Sequence, residues 1–181
     1  METHLLEKAI RLAVRAHEGQ LRKDGEVPYI THPLGVTLIL AKHGFGDEVL
    51  SAALTHDVVE DTVVTNKELR EELGDTVADI VASVTHDDTL GWEEKKIKYI
   101  KTVREGGEGA KAVATADKIH NAECLIITHK EKGTKMWDQF NAGKEKKIWF
   151  EESMLRMLQE TWRHPLIDEY EVLLKQMKEL E

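Results

Sequence analysis

Cysteine is almost missing from this 181-residue chain, with Cys124 as its only representative. A lone thiol closes no intramolecular disulfide and builds no Cys-based zinc site. Proline is nearly as scarce, confined to Pro28, Pro33 and Pro165. With few strand-like alternating runs besides, the expected fold class is all-α. Long apolar runs are missing as well: none approaches the ~18 residues of a membrane span, and the N-terminus has no apolar signal segment. The expectation is a cytoplasmic protein without a membrane partner. Positive charge is in deficit, 25 Lys and Arg against 34 Asp and Glu, for a formal net charge of −9. That balance argues against nucleic acid or an anionic membrane as partner, but a local basic pocket still admits a small anion.

What is present is a globular composition, 41% apolar and 33% charged, at a length that suits one domain with a real core. Apolar spacing predicts helices over about 3–17, 33–42 and 46–60. Pro33 is expected to open the second of these, with His32 extended just ahead of it. Thr65-Asn66-Lys67-Glu68 fits a capping box for a short helix ending at Gly74, and Asp75 is expected to cap the next. A polar loop at 85–91, a charged helix at 92–104 and a largely apolar helix at 109–130 follow. Residues 133–143 are expected to form a loop, before helices at about 144–163 and 165–181.

The densest chemistry lies in Ala52-Ala53-Leu54-Thr55-His56-Asp57-Val58-Val59-Glu60-Asp61-Thr62. One imidazole and three carboxylates are set into an apolar run, and ionised carboxylates are rarely buried without a partner or a metal. On a continuous helix Glu60 lies one turn beyond His56 and Asp61 one turn beyond Asp57, all on one arc of roughly 140°. His32, the pair His56 and Asp57, and Asp117 are candidate metal ligands from three separate segments. Imidazole and carboxylate without thiolate suit Mn²⁺, Fe²⁺, Mg²⁺ or Zn²⁺ more than copper. Such a set suits hydrolysis, where the ion acidifies water and polarises a phosphoryl oxygen.

This order of His, His-Asp and Asp resembles the HD-domain superfamily of metal-dependent phosphohydrolases, which implies an all-α helical bundle. The strings around it resemble the RelA/SpoT-type hydrolases in particular. They are Arg22-Lys23-Asp24-Gly25 with Tyr29-Ile30-Thr31-His32-Pro33, His56-Asp57-Val58-Val59-Glu60-Asp61-Thr62, and Ala116-Asp117-Lys118-Ile119-His120-Asn121. The resemblance covers roughly residues 5–130, leaving C-terminal helices at about 144–181 within an expected single domain spanning 1–181. It implies hydrolysis of the 3′-pyrophosphate of (p)ppGpp with Mn²⁺, or another divalent cation, at His32, His56, Asp57 and Asp117. Glu60 and Asp61 would then activate and orient the attacking water. Arg22, Lys23 and Asn121 would contact the guanine nucleotide. The chain is too short for the synthetase domain that many relatives carry and resembles the stand-alone small alarmone hydrolases.

Two departures bear on the substrate. Ala122-Glu123-Cys124 stands where the long RelA/SpoT enzymes carry Met-Arg-Thr, and Ala114-Thr115-Ala116 where they carry Lys-Leu-Ala. A carboxylate in place of a cation would weaken phosphate binding if it faced the pocket. Two alternatives therefore stand beside the first reading: an HD phosphohydrolase for another nucleotide or small phosphoester, and a non-catalytic guanine-nucleotide-binding module. Of the other histidines, His17 is expected to be structural. His4, His43, His86, His129 and His164 are expected at the surface or at caps. The Glu- and Lys-rich stretches at 93–105 and 144–152 are expected to be solvated faces, and Trp137, Trp149, Phe150 and Trp162 to be packing.

Overall fold

Leu50, Ser51, Ala52, Ala53, Leu54 and Thr55 are six consecutive buried residues, which is more than one helical face. A helix buried all round belongs at the centre of a bundle, and its small residues let neighbours approach closely. This helix, α3 (Asp47–Thr55), is packed by α1 (Leu5–Ala16), α2 (Thr31–Lys42) and α6 (Asp75–Val84). The description rests on a computed structural model and covers residues 4–22, 25–139 and 143–180. The chain divides into two compact units, Met1–Ala116 and Asp117–Glu181. Among the described residues all regular structure is helical apart from one isolated bridge between Leu21 and Pro28, as expected for an all-α chain. None of these helices is long and apolar enough to cross a membrane.

In the first unit α1 buries Ala9, Leu12 and Ala13 and leaves its charged side to solvent. α5 (Asn66–Leu73) starts at the expected capping box: Thr65 accepts from the Glu68 amide, and the Glu68 carboxylate accepts from the Thr65 amide at 2.8 Å. Gly74 ends α5 at φ +89°, a backbone angle that L side chains rarely adopt, and α6 begins at the next residue. Asp75 therefore caps nothing; its carboxylate pairs with Arg70 at 2.7 Å. α7 (Trp92–Glu105) packs on α6 through a face that buries Tyr99 and Val103. α8 (Gly107–Lys132) follows, and a Cβ at its Gly109 would come within 2.7 Å of Ile80 Cδ1, so a side chain there would displace the end of Ile80.

Two further expectations for this unit are corrected by the backbone. The helix expected over 46–60 is interrupted: α3 ends at Thr55, His56 and Asp57 form a turn, and α4 (Val58–Asp61) is a separate short helix. The reason is local. His56 Nδ1 lies 2.8 Å from the Ala53 carbonyl, the neighbourhood a continuous helix reserves for backbone amides. His32 is not extended ahead of its helix but sits inside the first turn of α2, which starts at Thr31. Pro33 is then the third helical residue, where an amide would have had no intrahelical acceptor, so its ring costs little there.

In the second unit α9 (Gly143–Thr161) packs on α10 (Pro165–Glu179). Pro165 opens α10 as expected, with the His164 ring nitrogen accepting from the Leu166 amide at 3.2 Å. Ala122, Leu125 and Ile126 from α8 join Met177 in a core covered by Trp137, Ile148 and Leu173. The loop expected over 133–143 holds a 3-10 segment, Gly133–Gln139. Glu151 corrects another expectation: within a stretch read as a solvated face, it is only 1% exposed.

Candidate metal centre

The turn that separates α3 from α4 places His56 and Asp57 where the apolar centre of the first unit ends. His56 is buried and Asp57 half-buried, and the first turn of α2 brings in buried His32. His56 Nε2 lies 3.2 Å and His32 Nε2 3.6 Å from Asp57 Oδ2, with the two rings 5.2 Å apart. The Nδ1–H of His56 donates to the Ala53 carbonyl, which directs the Nε2 lone pair toward Asp57. One ligand atom from each of the three residues lies within 4.8 Å of the other two. An ion held at roughly 2.0–2.2 Å from each donor spans that spacing after small side-chain adjustments. Two imidazole nitrogens and a carboxylate oxygen fit a divalent cation by donor chemistry as well.

Tyr29 ties this cluster to the next turn of chain. Its hydroxyl lies 2.7 Å from Asp57 Oδ2 and 2.8 Å from Asp61 Oδ2. Burial, then the nearby Asp57 and Asp61 charges, pushes the phenol far above its ordinary value, so it keeps its proton and serves as a donor. The Tyr29 ring is in turn held by buried His17, with centroids 4.8 Å apart, and by the Arg22 guanidinium at 5.7 Å. His17 also contacts Gln20 at 2.8 Å, and Gln20 donates to the Asp61 carbonyl at 2.9 Å. His17, expected to be structural, is buried. Sequence reasoning quoted Tyr29 without giving it a role; a phenol three residues before His32 was the signal.

Glu60 and Asp61, on α4, are held differently. Glu60 Oε2 accepts from the His86 backbone amide at 2.9 Å and from its ring Nδ1 at 3.1 Å. Burial raises the Glu60 pKa, but the His86 interactions outweigh it and leave the carboxyl below its ordinary value. Asp61 keeps much of its surface in solvent, yet lost hydration on its inner side raises its pKa. Asp57 and Glu60 add to that rise, while the Tyr29 hydrogen bond and His17 oppose it. The two carboxyls are thus pushed apart, one toward permanent charge and one toward holding a proton. His86 is not the surface residue expected from sequence, since its side chain is 14% exposed and bonded to Glu60.

Of the predicted nucleotide contacts, Arg22 is half-buried beside Tyr29, and Lys23 lies outside the described residues. In the second unit Asp117 is buried and accepts from Lys118 Nζ at 2.7 Å and from Asn121 Nδ2 at 2.5 Å. Lys118 escaped sequence reasoning although a lysine inside an apolar helix, beside an aspartate, marks a buried pair. Its ammonium also lies 5.2 Å from the centre of the Phe150 ring. Glu123 is exposed, and Cys124 contacts His120 at 3.7 Å, so the Ala122-Glu123-Cys124 departure leaves the Asp117–Lys118–Asn121 contacts intact.

The profile of the HD domain matches residues 9–141. The guanosine-3′,5′-bis(diphosphate) 3′-pyrophosphohydrolase MESH1 of Danio rerio is 41% identical over 126 residues, 68% of this chain and 70% of that protein. The GTP pyrophosphokinase of Streptomyces coelicolor is 37% identical over 134 residues, 72% of this chain; the match spans only 16% of that protein's length. Among solved structures, a metazoan ortholog of SpoT described as hydrolysing ppGpp superposes with a TM-score of 0.82 at 26% identity. That match covers 100% of this chain and 99% of the other.

Proposed function

This chain belongs to the HD-domain family, and on that footing we propose that it hydrolyses the 3′-pyrophosphate of (p)ppGpp, releasing pyrophosphate and leaving GDP or GTP. The observation that carries the reading is the cluster of His32, His56 and Asp57, followed one turn later by the carboxylates Glu60 and Asp61, which His86 and Tyr29 hold. The similarity to MESH1, over most of both chains, supports the same substrate.

His32, His56 and Asp57 would hold the ion, which we take to be Mn²⁺, with other divalent cations as substitutes. Asp117 is proposed as a further ligand on the sequence pattern. When bound, the ion supplies Lewis acidity to the attacking water and to a phosphoryl oxygen. The chain's own groups do the rest. Glu60, kept ionised by His86, takes the proton of the water as its oxygen bonds to the phosphorus borne by the ribose 3′ oxygen. The bond between that phosphorus and the ribose 3′ oxygen breaks, and the 3′ oxygen takes up a proton from solvent while Glu60 returns its own to solvent. Asp61, tied to Asp57 through Tyr29, orients the same water. Arg22 presents a guanidinium to phosphate, and Lys23 and Asn121 are proposed on the sequence pattern to contact the nucleotide.

The test is release of pyrophosphate from ppGpp by metal-loaded protein, with Glu60→Ala alongside. Turnover lost in the variant is the expected result. Hydrolysis of another nucleotide with none of ppGpp would move the substrate assignment, and tight ppGpp binding without turnover would make the chain a binding module.

A further inference from the structure

His86 lies in the loop between α6 and α7, and both of its ring nitrogens have charged neighbours. Its Nε2 is 2.9 Å from Lys96 Nζ, and its Nδ1 is 3.1 Å from Glu60 Oε2. An ammonium only donates, so Nε2 must accept. That arrangement places a ring proton on Nδ1, facing Glu60. The ring is also fixed in direction. It stacks on buried Tyr99 with centroids 4.2 Å apart and planes 8° from parallel. The loop around it is pinned to α7 by Lys95 to Asp88 at 2.7 Å and Lys98 to Asp87 at 2.6 Å. Three lysines of one helix thus hold residues 86, 87 and 88.

We infer that His86 is a positioning residue for Glu60, with Lys96 setting its tautomer. The inference rests on the hydrolytic reading above. Among the described contacts, the His86 amide and ring both bind Oε2 of Glu60. Those two contacts fix one oxygen of the carboxylate and with it the orientation of the group. The backbone amide contact survives any substitution at 86, so the ring's share is a fraction of Glu60's whole contribution. A carboxylate released from the ring keeps its chemistry but loses its aim, which lowers kcat rather than substrate binding.

His86→Phe keeps a flat ring for Tyr99 but has no donor, whereas His86→Asn restores a donor near the Nδ1 position. In ppGpp hydrolysis we expect His86→Phe to lower kcat about 10- to 100-fold with KM within about twofold, and His86→Asn to recover most of the loss. Lys96→Met should lower kcat about 3- to 10-fold alone and add nothing to His86→Phe, as two members of one chain of contacts behave. A wild-type kcat in His86→Phe, a change confined to KM, or full additivity of the two variants overturns the inference. A structural role alone would lower the unfolding midpoint without sparing His86→Asn. Long-range ¹H–¹⁵N spectra of the unmodified protein give a readout independent of turnover. A neutral Nδ1–H ring supports the arrangement, and an Nε2–H ring or an imidazolium overturns it. Absence of ppGpp turnover in the unmodified protein would instead count against the proposed function, leaving the tautomer to decide the geometry.

Discussion

Asp57 in the first unit and Glu151 in the second are both carboxylates withdrawn from water beside a phenol. Asp57 meets Tyr29 and the nitrogens of His32 and His56. Glu151 meets Tyr170 and Lys147 Nζ at 2.5 Å, with the Lys118 charge nearby. In the second unit, then, the chain supplies its own ammonium groups to balance the acid. In the first, the acid is grouped with two imidazole nitrogens, a donor set that suits a divalent cation. The lesson is that burial of an acid does not itself mark a site; the kind of partner does.

The largest expected effect that separates the two is on activity. Asp57→Ala should abolish metal binding, seen by titration calorimetry, and cut ppGpp hydrolysis by at least about a thousandfold. Its fold should persist, because the buried residues of α3 do not depend on that carboxylate. Glu60→Gln comes next, with kcat down about 10²- to 10⁴-fold in steady-state assays while metal still binds.

Glu151→Ala should act on stability. It strands two lysines and should cost about 3–5 kcal/mol in chemical denaturation. Its pH dependence has a definite sign. Burial raises the Glu151 pKa, but the Lys147 and Lys118 charges outweigh it and leave it below 4.5. The native state therefore binds fewer protons than the unfolded one, so this stabilisation is complete above the unfolded value and drains as pH falls through the lower folded one. Acid unfolding of Glu151→Gln should be shallower over that window than that of the unmodified chain. Metal should do the reverse job in the first unit. At a hundred times its Kd it should add about 2.7 kcal/mol by thermal shift, and Asp57→Ala should lose that gain. Smallest is Thr65→Ala, at a surface cap outside both clusters, which should cost ~1 kcal/mol in the same denaturation experiment.

Much of the first unit was legible because its signals are local. The Thr65 capping box, the apolar run that becomes α3, and the grouping of His32 with His56 and Asp57 all follow from residues a few positions apart or from one family pattern. The break between α3 and α4 was not legible, since it depends on a ring nitrogen taking a carbonyl that periodicity assigns to the backbone. Glu151 and His86 were misread for one reason. Each stands among charged residues, and only the packing of a distant segment shows which member of a charged run turns inward: Tyr170 for one, Glu60 for the other.

The most direct measurement is pyrophosphate release from ppGpp by metal-stripped protein, before and after Mn²⁺ is restored, in the unmodified chain and in Asp57→Ala. The account predicts release only when the ion is restored and only with Asp57 in place. Release by the metal-stripped protein, or by Asp57→Ala at an undiminished rate, would contradict it.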